Sequence, residues 1–368
     1  MNRRDFLKYG VIFTCAGGVC LLCKNPYIFK KDTPVINNTL DTRPCKIPFE
    51  NIEIYEKGTS YPCCPGFLKY RKPLGYIGKQ SFDEVWNGEL FNDLRQRVLK
   101  GDFSKCKRDI CCNYTPCSAD EIPADYTKGP KEIKICYDYE CNYNCITCRD
   151  KVIINTPEQL KIYNEVYLPK IMEAAKNARM VHVTLTGDAL FSRHSKSLMQ
   201  KMVEKYPNIK LSIYTNGYYL EEKYLTDLGI QNNIDGVSVS VDAAKRETYK
   251  KILRTDAFDL VINNIRQMSE WKKQGRIDWI TMNFVVHLMN YKEMPAFVKL
   301  AQSLGALAHF TTYAPWPNAE YHKRYMDVAV FEPVNEYYKD FVKILHNPIF
   351  KDEKLCYLEP CLMELTEK

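Results

Sequence analysis

The chain has 368 residues, 45% hydrophobic and 26% charged, which is the composition of a folded protein rather than a disordered one. Lys and Arg number 52 against 45 Asp and Glu, a net charge of +7 spread along the chain apart from short groups such as Lys30-Lys31 and Lys245-Arg246. Without a concentrated basic stripe there is no nucleic-acid footprint, so no nucleic-acid partner is expected. Sixteen cysteines are the unusual feature: three precede residue 25, seven fall between 45 and 117, four between 136 and 148, and two at 356 and 361. Residues 149–355 contain none. A secreted disulfide scaffold is short and cysteine-dense throughout, so this distribution points instead to metal sites in a reducing compartment.

Residues 1–40 read as an apolar leader and linker. "MNRRDFLKYGVIFTCAGGVCLLCK" pairs Arg3 and Arg4 ahead of an uncharged run over residues 9–23. This resembles a twin-arginine export signal, without an A-x-A-like cleavage site, and the run is short for a membrane span. Weak membrane association through residues 9–23 is the other reading of the same stretch.

Residues 41–120 form a cysteine-rich unit with one predicted helix, "SFDEVWNGELFNDLRQRVLKG". Ser81 is its N-cap, Glu84 completes a capping box and Gly101 is its stop. Three prolines and a glycine within 113–131 make a connector. From 132 onward, six candidate strands ("EIKICYDY", "RMVHVTLTG", "IKLSIYTNG", "DGVSVSVD", "WITMNFVVH", "LAHFTTYA") alternate with helical patterns. That alternation predicts a parallel α/β sheet with right-handed crossovers, either an open doubly wound sheet or a full or partial barrel. No G-x-G-x-x-G follows the first strand, which removes the usual dinucleotide reading. Ligands of such sheets gather at the C-terminal strand ends. Residues 316–368 are an aromatic- and Pro-rich extension carrying Cys356 and Cys361, either plain thiols or ligands of an auxiliary site.

Directly after the first strand comes "CNYNCITC", with Cys141, Cys145 and Cys148 in C-x3-C-x2-C spacing. Closely set thiolates of this kind hold iron–sulfur clusters, and three ligands leave one iron open, as a catalytic site requires. Cys136 is a poor fourth ligand, because its odd offset of five from Cys141 places the two on opposite strand faces. A zinc site completed by Cys136 is the bland alternative.

The triplet resembles the cluster motif of the radical S-adenosylmethionine (radical SAM) superfamily, with Thr147 standing where the family often has an aromatic residue. Later motifs fall at successive strand ends. "LTGDAL" resembles the family's glycine–acid motif on Gly187 and Asp188; "YTNG" places Thr215 and Asn216; "VSVSVD" places Ser240 and Asp242 near the ribose; Asn290 and Glu293 follow the fifth strand. The resemblance covers about 132–315 and implies a partial (β/α)6 TIM-like barrel. It also implies a [4Fe–4S] cluster on the three cysteines, S-adenosylmethionine on its open iron, and Gly187, Asp188, Thr215, Asn216, Ser240 and Asp242 around that cosubstrate.

Upstream, Cys45, Gly58 and Cys63 followed by "LG…EVWN…LR…C" resemble the SPASM or twitch auxiliary-cluster unit, here placed before the barrel. This implies at least one auxiliary [4Fe–4S] cluster on Cys45, Cys63, Cys106 and Cys111, with Cys64, Cys112 and Cys117 as near-equal substitutes. A zinc knuckle of the same cysteines is the plainer reading. The resemblance further implies an electron donor such as flavodoxin or ferredoxin and a peptide, protein or sugar-like small-molecule substrate. The need for S-adenosylmethionine and a low-potential reductant points to the cytoplasm. The other function class is a non-catalytic scaffold stapled by structural zinc or iron–sulfur sites.

Overall fold

The computed structural model describes residues 42–108, 111, 113–314 and 324–366. The leader with its residues 9–23, Cys112 and the start of the C-terminal extension lie outside the described residues. Ten strands form one sheet: β1 (Asn51–Tyr55), β2 (Thr59–Tyr61), β3 (Gly75–Tyr76), β4 (Glu132–Cys136), β5 (Met180–Val183), β6 (Lys210–Thr215), β7 (Ile234–Ser240), β8 (Trp279–Val286), β9 (Leu307–Thr312) and β10 (Cys356–Leu358). Their order is β10-β9-β8-β7-β6-β5-β4-β1-β2-β3. Neighbours from β4 through β9 pair in parallel, as expected of six strand–helix repeats.

The sheet is longer than those six strands at both edges. β10 from the tail adds in parallel to β9. β1 from the cysteine-rich unit adds in parallel to β4, with Asn51 opposite Glu132 and Tyr55 opposite Cys136, and β2 and β3 continue it antiparallel. Among the described residues the main apolar core accordingly runs from Phe49 to Leu365, with a small separate cluster of Tyr55, Cys136, Leu185 and Tyr214 on the inner face.

Residue alternation explains why the helices cover only one face. Ile133, Ile135, Val181, Val183, Leu211, Ile213, Val237 and Val239 belong to that core, together with Leu198 and Met202 of the helix Arg193–Lys205 and Val261 and Ile265 of the helix Phe258–Lys273. Each such side chain contributes roughly 1.5–3 kcal/mol on burial. The intervening residues face inward and are largely polar: Glu53, Lys134, His182, Ser212, Ser238, Asn283 and His309. A closed (β/α)8 barrel fills this space with branched apolar side chains. Here, Trp279 lies over Gly236, where an added Cβ would come within 2.3 Å of the indole.

Two predicted helices are interrupted for local reasons. The Ser81–Glu84 capping box is present, but the helix stops at Trp86 and restarts at Glu89 behind Gly88, whose added Cβ would meet the Glu84 carbonyl at 2.5 Å. The run from Pro157 carries a π-helical stretch, Ile162–Tyr167, just before Pro169, whose ring nitrogen has no hydrogen to donate.

Lys134 and Glu53 are an ion pair of 3.1 Å, with 7% and 3% of their side chains exposed. Tyr55 donates to the same carboxylate at 2.7 Å. Removing one partner of a buried pair strands the other charge. The Glu53→Ala substitution is expected to cost about 3–5 kcal/mol in urea unfolding, and adding Lys134→Met is expected to recover most of it. A loss below about 1 kcal/mol would show that the pair behaves as a solvated one.

Burial also holds the imidazoles of His194, His287 and His309 neutral, with pKa values lowered to about 4. An unfolded histidine binds its proton near pH 6.5, so between about 6.5 and 4 the unfolded chain holds more protons than the folded one. Stability is therefore full above that window and falls as pH drops into it, by on the order of 1 kcal/mol per pH unit for each histidine. Urea midpoints measured from pH 7.5 to 5.5 test this; a flat profile would contradict it.

Candidate active site and auxiliary metal centre

The cysteine loop begins where β4 ends, and its backbone is held by two acids that are almost completely buried. Asp138 accepts from Ser192 Oγ (2.5 Å), Ser195 Oγ (2.6 Å) and Asn155 Nδ2 (2.9 Å). Glu140 takes the Arg193 guanidinium at 2.8 Å and the Arg193 backbone N–H at 2.9 Å. The loop then closes on itself: Cys141 N–H donates to Ile153 O, and the N–H groups of Cys148 and Arg149 both donate to Cys145 O, all at 3.0 Å.

Two of these thiols, Cys141 and Cys145, are costly to ionise as they stand. Burial pushes Cys141 up to about 12, with Asp188 adding to the effect. Cys145 is raised well above the usual thiol range by burial, then by Cys141, Cys148 and Asp242. Three neighbouring thiols, of which Cys141 and Cys145 resist ionisation, suit a cationic centre, because a coordinating metal deprotonates a thiol outright. Among the described residues no three His, Cys, Asp or Glu side chains converge as a single ion requires. A cubane takes each thiolate at a separate iron, so it needs proximity without convergence. The donor set fits an iron–sulfur cluster.

The strand-end motifs pack onto this loop. Gly187 lies flat against it, since a Cβ there would sit 2.6 Å from the carbonyl oxygens of both Asp138 and Glu140. Asp188 accepts from the N–H groups of Leu190 (3.0 Å), Phe191 (2.9 Å) and Asn216 (2.7 Å) and from Thr215 Oγ1 (2.9 Å). Its carboxylate thus joins the ends of β5 and β6. Asn216 Nδ2 reaches Asn142 Oδ1 at 2.8 Å and Cys141 Sγ at 3.9 Å. Asp242 has a left-handed backbone (φ 57°), accepts from Val285 N–H at 2.7 Å, and is pushed up to about 7 by burial. Asn290 donates to the carbonyls of Asp242 and Val285, and Glu293 accepts from Ala244 N–H and Thr248 Oγ1. Ser240 lies on the inner face, in register with Asn283.

One residue not singled out from the sequence completes the loop. Arg149, 6% exposed, donates to Cys148 Sγ and to the carbonyls of Tyr139 and Thr186. Its position next to Cys148 was the only sequence signal for it.

The second thiol set surrounds a cavity lined by Cys45, Cys63, Cys106 and Cys111 together with Arg108. Burial raises all four thiols, Cys106 to about 11 and Cys111 to about 12. The Arg108 guanidinium lies against the rings of Phe103 (4.3 Å) and Tyr114 (3.4 Å), and its Nη1 is buried with no hydrogen-bond partner among the described residues. A half-buried guanidinium with a buried, unpartnered Nη1 beside four thiols suits an anionic centre, so this set also fits an iron–sulfur cluster. Cys64 is outside this lining and lies near Tyr55 and Cys136. Cys117 Sγ donates to Pro44 O at 3.5 Å. Cys136 is a buried inner-face residue of β4. Cys356 Sγ bonds Ile349 O (3.7 Å) and Cys361 Sγ bonds Glu359 Oε1 (3.0 Å), both beside β10 at the edge of the sheet away from β1. The two thiol sets lie toward opposite ends of the paired strands β1 and β4.

Residues 139–301 match the radical SAM superfamily, and residues 45–113 match the SPASM iron–sulfur cluster-binding domain. A probable GTP 3′,8-cyclase from Saccharolobus islandicus (strain L.S.2.15 / Lassen #1) is 29% identical over 182 residues, covering 48% of this chain and 54% of that protein. The GTP 3′,8-cyclase of Nautilia profundicola is 25% identical over 190 residues, covering 49% and 55%. The chain thus spans about half the length of the relatives it matches. Among solved structures, coproporphyrinogen III oxidase from Escherichia coli aligns with a TM-score of 0.42 at 12% identity, covering 60% of this chain and 52% of that one. Methylornithine synthase aligns with a TM-score of 0.38 at 13% identity, covering 64% and 68%. The radical SAM core brings with it a [4Fe–4S] cluster and S-adenosylmethionine, and the SPASM domain brings auxiliary iron–sulfur. With its cysteine loop at the end of β4 and a second thiol set ahead of it, the chain carries a region, 139–301, that matches the radical SAM superfamily, and on its N-terminal side a region, 45–113, that matches the SPASM iron–sulfur cluster-binding domain.

Proposed function

We propose that this chain reductively cleaves S-adenosylmethionine and uses the resulting radical to abstract hydrogen from a peptide, protein or sugar-like small molecule. The observation that carries this reading is the set of three thiols on one loop, Cys141 buried and Cys145 and Cys148 half-buried, with the strand-end residues packed on that loop. A [4Fe–4S] cluster held by those three cysteines would supply one electron to S-adenosylmethionine, giving methionine and a 5′-deoxyadenosyl radical.

The remaining work belongs to the protein's own residues. Asp188 and Asn216 keep the ends of β5 and β6 fixed against the loop, and Gly187 leaves its backbone free for close approach. Asp242 and Ser240 are the groups we assign to the nucleoside hydroxyls. The inward-facing Lys134, His182, Asn283 and His309 offer hydrogen bonds to a polar substrate on the inner face of the sheet. Cys45, Cys63, Cys106 and Cys111 form a complete ligand set, which suits an auxiliary cluster that passes electrons rather than one that binds substrate directly. The boundaries follow as a SPASM unit over 41–120, a core over 132–315 and an extension over 316–368. A low-potential donor such as flavodoxin or ferredoxin would supply the electron. Among the described residues no helix is long and apolar enough to cross a membrane; the dependence on S-adenosylmethionine and a strong reductant supports a cytoplasmic site of action. The likeness to GTP 3′,8-cyclases spans about half of each chain, and GTP is not carried over as substrate.

Anaerobically reconstituted protein given dithionite and S-adenosylmethionine is expected to release 5′-deoxyadenosine. Cys145→Ala is expected to reduce that release to the level of the cluster-free chain. Wild-type release from Cys145→Ala would contradict the assignment.

The two adjacent cysteines of the SPASM unit separate its ligands. Cys63→Ala is expected to lose about four irons per chain while still producing 5′-deoxyadenosine. Cys64→Ala is expected to keep its full iron. The reverse pattern, read by iron analysis, would move the ligand to Cys64.

A further inference from the structure

We propose that Arg149 sets the reduction potential of the cluster carried by Cys141, Cys145 and Cys148, by donating N–H bonds from a buried guanidinium to the Cys148 sulfur. The inference rests on the cluster assignment above and concerns how readily that cluster takes up its electron.

The guanidinium is fixed independently of the sulfur. Nη1 donates to Tyr139 O at 2.7 Å and Nη2 to Thr186 O at 2.9 Å, one on the approach to the cysteine loop and the other just before Gly187. With those two anchors in place, Nε and Nη2 point at Cys148 Sγ at 3.3 and 3.2 Å. The fork geometry makes this a task for arginine, because an ammonium cannot hold two carbonyls and a sulfur in one plane. The charge also lacks a conventional partner: the neighbours that favour the charged form of Arg149, which is 6% exposed, are the thiols of Cys148, Cys141 and Cys145. An uncompensated buried cation is expensive. Its counter-charge is supplied by the thiolates, which is the arrangement expected when the loop carries an anionic cluster.

Hydrogen bonds to cluster sulfurs and nearby charge are two of the levers that set an iron–sulfur potential. Reduction adds one electron and no proton, making the cluster more negative. A fixed cation bonded to a ligand sulfur therefore stabilises the reduced form more than the oxidised form and raises the potential. For a cluster that must be filled by a one-electron donor of flavodoxin or ferredoxin class, this makes the first step accessible. A loop staple alone would hold Tyr139, Thr186 and Cys148 together without moving the potential.

The test is a redox titration of the reconstituted full chain, following by electron paramagnetic resonance the signal that S-adenosylmethionine perturbs. Wild type is compared with Arg149→Gln and Arg149→Lys, each with its iron counted. Arg149→Gln is expected to retain the cluster and to lower the one-electron reduction equilibrium at least tenfold, which is about 59 mV. Arg149→Lys, which keeps charge but loses the fork, is expected to fall between the two. An unchanged midpoint in both variants with iron intact would overturn the inference, and so would loss of that cluster from both, which would make Arg149 a loop support. If the wild-type signal does not depend on Cys148, the cluster assignment itself fails, a result separable from the other two.

Discussion

The parallel pairing of β1 with β4 is the constraint on which the rest of the molecule depends. A short cysteine-rich segment of this size has little core of its own, and here it gains one by lending a strand to the barrel sheet. The pairing is fixed on its outer side by Ile52 and Ile54 against the helices, and on its inner side by the Lys134–Glu53 pair with Tyr55. A one-residue slip would turn Glu53 into the apolar layer and strand Lys134. The register therefore also fixes where the two thiol sets lie relative to one another.

That placement shapes the chemistry. The Cys141 loop is at the C-terminal end of β4, where parallel sheets bind their ligands, whereas the Cys45 set lies toward the other end of the same strand pair. Between them lies an inner surface of Lys134, Cys136, His182, Tyr214 and Asn283. Both thiol sets have a guanidinium beside them, Arg149 at the loop and Arg108 at the cavity of the Cys45 set. Clusters carried by these two sets would be anionic and would need such compensation, and in each case the arginine comes from the same stretch of chain as the cysteines.

What the sequence made legible was local. The C-x3-C-x2-C spacing, the six core strands and the Ser81–Glu84 cap depend on residues a few positions apart, and each has its place in the structure. β1 was missed although "NIEIY" has the alternation of a strand, because its meaning lies in a parallel partner 81 residues away. Arg149 was missed for the same reason, since its anchor at Thr186 is 37 residues distant. The inner polar surface could have been read from alternation: in "EIKIC", "MVHV" and "LAHF" Lys134, His182 and His309 each sit between two apolar neighbours. Asp188 was expected at the cosubstrate, and its hydrogen bonds add a second duty in joining β5 to β6.

The central claim is that two separate thiol sets hold two clusters and that only the Cys141, Cys145 and Cys148 cluster meets S-adenosylmethionine. Electron paramagnetic resonance of the reduced protein, recorded with and without S-adenosylmethionine, tests it most directly. The account predicts two overlapping cluster signals, one of which changes on addition of S-adenosylmethionine and is lost in the Cys141→Ala/Cys145→Ala/Cys148→Ala variant, while the other is unaffected. A signal that still responds to S-adenosylmethionine in that triple variant would contradict it.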